Sequence, residues 1–148
     1  MEKTVIDAGL PLTAGPFNLC VRHGDLVYIS GLPPFDADFC KVLRDSRQEG
    51  RRPPPMPETP FERQVQIIMD NLKALTEAAG SNMDCLLKVT VWLKDQTTSE
   101  QFDRVYKTYF TSQETMPART RIQAGRTPFD CGLEIDAIGY VPRAKPGK

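Results

Sequence analysis

Between residues 59 and 94 the chain carries a helix with one apolar side, followed at once by a strand. Apolar residues recur at Phe61, Val65, Ile68, Leu72, Leu75 and Ala79, the spacing of a single helical stripe. Thr59 is placed to cap this helix, with Pro60 at the first helical position and Glu62 at the third, the pattern of a capping box. Gly80 is the natural stop. In "LLKVTVWLK" (86–94) the period changes to two: Leu87, Val89, Val91 and Leu93 share one face and Lys88, Thr90 and Trp92 the other. A second helix opens near Thr97 or Thr98, with Glu100 at capping distance from Thr97. Its stripe runs through Phe102, Val105, Tyr106, Tyr109 and Phe110. A helix with one apolar stripe must bury it against another element, and the strands around these two helices provide a sheet to receive both.

The other strands lie towards the two ends. "FNLCVR" (17–22) and "LVYIS" (26–30) flank a turn at 23–25 and predict a hairpin. "TVID" (4–7) predicts a short edge strand. "ARTRIQAG" (118–125) and "LEIDAIGYV" (133–141) predict the last two. In the latter, Leu133, Ile135 and Ala137 share one face and Glu134, Asp136 and Ile138 the other. The stretch from about 33 to 58, with "RRPPPMPE" at its end, reads as a long irregular loop. Consecutive prolines exclude helix, and loops of this length are either disordered or functional lids. The expected architecture is one α+β domain over 1–148, a mixed sheet covered on one face by two helices. The other face would be bare, which invites self-association or encloses a pocket.

Charge and residue types narrow the chemistry. The 148 residues are 40% apolar and 26% charged with zero formal net charge, which gives no general attraction to nucleic acid or anionic membranes. No apolar run approaches a membrane span, and "MEKTVIDAGL" lacks the apolar core of a signal peptide, so a cytoplasmic location is the expectation. Cys20, Cys40, Cys85 and Cys131 are far apart, which disfavours zinc and redox motifs and reads as reduced, partly buried thiols. The single histidine, His23, sits in the turn "RHGD". Catalysis must therefore run on carboxylate, arginine, hydroxyl, backbone or thiol. Phosphate-loop, dinucleotide, zinc-protease and RNA-binding signatures do not occur.

Three places can carry that chemistry. Arg119 and Arg121 in "PARTRIQAG" share one face of a strand, and two like charges side by side require an anion, internal or bound. If the last two strands pair, Glu134 or Asp136 can lie across from them and answer one. "YISGLPPFD" (28–36) runs a strand into Ser30 and Gly31, a hydroxyl beside a residue that permits close approach. Glu134 lies between Leu133 and Ile135 on the last strand and is either a solvated acid or a functional one.

In combination these segments resemble one family. "AGPFNLCVRHGDLVYISGLPP", "LKALTEAAGS", "VTVWLKD", "VYKTYF", "PART" and "LEIDAIG" occur in the order found in the Rid/YjgF family of enamine/imine deaminases. The resemblance spans all but the 33–58 segment and the tail. It implies a chorismate-mutase-like fold with a six-stranded sheet. It also implies a homotrimer with sites between subunits, no metal or organic cofactor, and a small carboxylate as substrate. By the same resemblance Arg119 holds the substrate carboxylate, Glu134 positions the attacking water, and Ser30 and Gly31 line the pocket. Three departures stand out. Phe17 replaces the family's tyrosine, Arg121 replaces a cysteine, and the 33–58 segment is longer than usual. The arginine pair suggests a dicarboxylic enamine such as 2-aminomuconate. A non-catalytic carboxylate-binding trimer is the alternative. Ribonuclease activity ranks last, because a neutral chain offers RNA little to bind.

Overall fold

The turn chemistry fixes the first hairpin. In the computed structural model, which describes residues 2–144 and 147, β2 (Cys20–His23) and β3 (Leu26–Leu32) pair antiparallel across Gly24, whose φ of 61° suits a residue without a Cβ. β1 (Lys3–Val5) adds to β2 as an edge strand. β4 (Leu86–Leu93), β5 (Ala118–Gln123) and β6 (Leu133–Tyr140) complete one six-stranded sheet in the order β1-β2-β3-β6-β4-β5. β6 is antiparallel to both β3 and β4, and β5 runs parallel to β4 at the far edge.

That order corrects one expectation. The last two strands are not neighbours, because β4 lies between them, and neither Glu134 nor Asp136 lies across from an arginine. The register puts Arg119 beside Val89 and Arg121 beside Val91, and both valines are fully buried. Glu134 is beside Trp92 and Asp136 beside Thr90, on the other face. β4 departs from simple alternation at its start. A register shift between Leu86 and Lys88 buries Leu86 and leaves Leu87 exposed, out of phase with Val89.

α2 (Phe61–Ala78) and α3 (Ser99–Tyr106) lie against one face of the sheet. Val65, Ile68, Leu72 and Leu75 from α2 and Phe102 from α3 pack on Val27, Val89, Val91, Leu133 and Ile135. Each such side chain contributes about 1.5–3 kcal/mol by leaving water. The ends of these helices differ from the capping boxes expected. Pro60 is the N-cap of α2, and the Thr59 hydroxyl donates to the Pro57 carbonyl instead. Glu62 bonds Arg104 of α3. Before α3, Asp95 caps a short 3-10 turn (Gln96–Thr98) by accepting from the Thr97 amide at 2.8 Å.

The largest difference lies in the segment read as a loop. Residues Ala37–Gln48 form a helix, α1, so among the described residues three α-helices rather than two accompany the sheet. The Asp36 carboxylate accepts from the Phe39 amide at 2.8 Å, which satisfies a free N–H of the first turn. Phe39, Cys40, Leu43 and Ser46 form its buried stripe, and Lys41 and Asp45 pair one turn apart. The prolines flank the helix instead of entering it: Pro33 and Pro34 precede Asp36, and Pro53, Pro54 and Pro55 follow Gly50, whose φ is 66°. Residues 51–58 of the segment are irregular, as expected.

Candidate functional site

β3 and β6 fall out of register opposite Asp136, two residues from Glu134 on the same face of β6. Ile29 pairs with Ala137 and Leu32 with Ile135, so β3 holds one residue more than β6 across this interval. The extra residue is accommodated at Ser30–Gly31. Such bulges bend a strand and re-aim its side chains. Here the bulge brings the Gly31 backbone against Glu134. A Cβ on Gly31 would lie 1.8 Å from Glu134 Oε1 and 2.9 Å from its Cδ, so glycine alone leaves the carboxylate where it is. Ser30 ties the bulge to the N-terminal arm: its hydroxyl donates to the Asn18 carbonyl at 2.7 Å and its amide to Leu19 at 2.9 Å.

Glu134 is half-buried. Burial, and then the nearby charge of Asp136, push its carboxyl above the usual range. Asp136 itself accepts from the Trp92 indole at 2.9 Å. A carboxyl in this condition is a better proton acceptor once ionised than an exposed glutamate.

Glu134, Ser30 and Gly31 line a cavity of about 540 Å³ that also takes Phe17 into its wall. Leu10, Pro11 and Leu19 contribute from the N-terminal arm, and Phe35, Phe129 and Arg47 close other sides. Phe35, Phe39 and Phe129 pack edge to face with ring centroids 5.0–5.5 Å apart. Phe129 holds its place in left-handed backbone, φ 53°, which is rare for a side chain of this bulk. Four of the six residues singled out from the sequence thus meet around one cavity.

The other two do not. Arg119 and Arg121 each donate to the same oxygen of Asp103, Oδ1, at 2.8 Å. Arg121 also donates to the Ser99 carbonyl at 3.4 Å. The Arg119 guanidinium sits 5.0 Å from the Tyr106 ring centroid and 5.5 Å from that of Phe102, within cation–π range. Burial alone would raise the Asp103 carboxyl, but the hydrogen bonds and charges of Arg121 and Arg119 outweigh it and hold the carboxyl below its ordinary value. The anion that the arginine pair requires is therefore internal, and it comes from α3 rather than from β6. Within one chain this pair and Glu134 occupy opposite faces of the sheet.

The remaining groups are inert in comparison. All four cysteines are buried free thiols, and burial pushes Cys20 and Cys131 up to about 11. Arg47, Phe35 and Phe129 are among the cavity residues that the sequence does not single out. The first two lie in or beside the segment read as a loop. Phe129 is flanked by Pro128 and Asp130, which mark a turn but not its aromatic role.

Comparison with known proteins gives the family. Residues 9–141 match the family model described as Endoribonuclease L-PSP. The chain is 30% identical over 139 residues to the 2-iminobutanoate/2-iminopropanoate deaminase of Salmonella typhimurium, covering 93% of this chain and 97% of that protein. It is 29% identical over 140 residues to a RutC family protein of Pyrococcus horikoshii, covering 95% and 98%. Its structure is similar to that of the YjgF gene product of E. coli, with a TM-score of 0.74 at 28% identity over 94% of this chain and 98% of that one. The chain belongs to the endoribonuclease L-PSP family, the Rid/YjgF family that its motifs resemble.

Proposed function

We propose that this family member is a deaminase that hydrolyses a reactive enamine or imine carboxylic acid to the keto acid and ammonia. The observation that carries the reading is the half-buried Glu134 carboxylate, seated on the Ser30–Gly31 bulge inside the cavity. An imine carbon is already electrophilic, so the protein has to orient the acid and deliver one water. Glu134 takes a proton from that water as its oxygen bonds to the imine carbon and passes it to the imine nitrogen, giving a carbinolamine. Glu134 then takes the carbinolamine hydroxyl proton as the carbonyl forms and delivers it to the nitrogen as the C–N bond breaks, releasing the keto acid and ammonia with Glu134 again ionised. The Salmonella relative carries the name of such an activity.

Arg119 holds the substrate carboxylate in this reading, since its fork matches two oxygens at once. Because Arg119 and Glu134 lie on opposite faces of one sheet, a site using both needs a second copy of the chain. A homotrimer with its sites between subunits meets that need. The face turned away from α2 and α3, which exposes Tyr28, Trp92 and Tyr140, is apolar enough to be covered by a partner. The finer proposal is a dicarboxylic substrate such as 2-aminomuconate. A second reading, a carboxylate-binding trimer without turnover, draws on Phe17, which brings no polar atom to the cavity.

The test is ammonia release from freshly generated 2-iminopropanoate and from 2-aminomuconate by the wild type, Glu134→Gln and Arg119→Ala. Turnover of either substrate, lost in both variants, is the expected result. Absence of turnover on both, with ligand-dependent melting retained, replaces the deaminase with the binder.

A further inference from the structure

Two arginines and one aspartate leave a single net positive charge on the β5–α3 edge, because Arg119 and Arg121 share Asp103. One charge matches one carboxylate. If the substrate is a dicarboxylate, its second anionic group must be met elsewhere, and the cavity already contains the carboxylate of Glu134, which repels it. Among the described residues lining the cavity, Arg47 is the only cation and Glu134 the only acid.

Arg47 lies in the last turn of α1, on the rim of the cavity beside Phe17. Its Nη1 donates to the Thr13 carbonyl at 2.6 Å and lies 3.4 Å from where a Cβ on Gly15 would be. The Thr13 bond fixes the guanidinium plane and uses one of its five N–H donors. No carboxylate lies within ion-pair distance of Arg47 among the described residues. The cavity wall near it is apolar (Leu10, Pro11, Phe17, Phe35) and a volume of about 540 Å³ has room for a chain longer than three carbons.

We infer that Arg47 binds the distal carboxylate of the substrate and selects an elongated dicarboxylic imine or enamine over a short monocarboxylic one. The inference rests on the deaminase reading of the same site. It assigns the second carboxylate to α1 rather than to Arg121, whose charge is already shared with Asp103.

The competing role is structural: Arg47 clasps α1 to the N-terminal arm through Thr13 and does nothing more. A substrate ratio separates the two roles. An amino-acid oxidase supplied with glutamate or alanine generates 2-iminoglutarate or 2-iminopropanoate, and ammonia release is read as kcat/KM for each. The dicarboxylate-to-monocarboxylate ratio is expected to fall roughly ten- to a hundredfold in Arg47→Gln, the effect of losing a charge-assisted hydrogen bond, and to recover in part in Arg47→Lys. A clasp alone lowers both substrates together, and a ratio unchanged within about twofold overturns the inference. Should the wild type turn over neither imine, the deaminase reading fails, and calorimetry with the keto products then decides about Arg47. Weaker 2-oxoglutarate binding in Arg47→Gln, with pyruvate binding unchanged, sustains its role. Equal affinities in wild type and variant, or no 2-oxoglutarate binding at all, end it.

Discussion

Gly31→Ala isolates the geometry of the site from its chemistry. The backbone at Gly31 is not in the left-handed region, so alanine fits it without strain. The added methyl has nowhere to go, because Glu134 Oε1 lies 1.8 Å from the Cβ position. Ordinary contact requires the oxygen to withdraw by about 1.5 Å. The Cδ at 2.9 Å must follow, so the whole carboxylate swings rather than its tip alone. A displacement of about 1 Å in a reacting group costs on the order of a hundredfold in rate. The expected result is a fall of about a hundredfold or more in kcat/KM for ammonia release, with a melting temperature lowered by no more than a few degrees. The reasoning predicts a specific non-additivity as well. In a Glu134→Gln background, whose activity is already lost, adding Gly31→Ala should cost little more. If Gly31→Ala keeps activity within threefold of wild type, or loses it equally in both backgrounds, Glu134 is not the group the bulge positions.

Other consequences concern charge and burial. Glu134 titrates above its ordinary value in the fold, so its ionisation opposes folding, and that cost appears as pH rises from about 4 through the folded value. Glu134→Gln should therefore melt no lower than wild type at pH 7 while ammonia release collapses, and in wild type the activity should fall on the acid side as Glu134 takes up a proton. Asp103 shifts the other way: its stabilising ion pairs are complete above about pH 4 and are lost as pH falls through its lowered folded value. Asp103→Asn should lose about 1 kcal/mol, a modest figure because the carboxylate is nearly half exposed, and added salt should restore part of it by screening Arg119 from Arg121. The Tyr106 hydroxyl is buried with no hydrogen-bond partner among the described residues, so Tyr106→Phe should gain about 1 kcal/mol, or roughly 2–4 °C in melting temperature.

The parts of the fold that were legible in the sequence are those where one signal had no competitor. The stripe of α2, the hairpin about Gly24 and the alternation in β6 each follow from a single period. α1 is obscured because two signals adjoin: the stripe Phe39, Cys40, Leu43 is complete, but the prolines on either side of it, Pro33 and Pro34 before and Pro53, Pro54 and Pro55 after, speak for an extended chain. The position of β5 was not legible. Pairing partners depend on which strand β4 leaves free, and "ARTRIQAG" contains nothing to say that it runs parallel to β4 at an edge. For the same reason Asp103 could not be named as the answer to the arginines. It lies on a helix, at a position with no sequence relation to β5. Phe17, Ser30, Gly31 and Glu134 could be grouped only through the family resemblance, since the bulge that unites them is a property of two paired strands.

The Asp103 tie bears on how the proposed site assembles. Within a single chain the arginines are already paired, so the β5 edge forms without a partner, and a substrate is not needed to relieve their repulsion. A carboxylate arriving there need not break the tie either. Arg119 gives one hydrogen bond to Asp103, which leaves most of its fork unused, while Arg121 is committed to both Asp103 and the Ser99 carbonyl. The stacking of Arg119 on Tyr106 and Phe102 then fixes the plane in which the free donors lie. On this account Arg119 is the donor and Arg121 its support. Arg121 keeps Asp103 ionised and in place, and the two arginines differ in role although they sit on the same face of one strand.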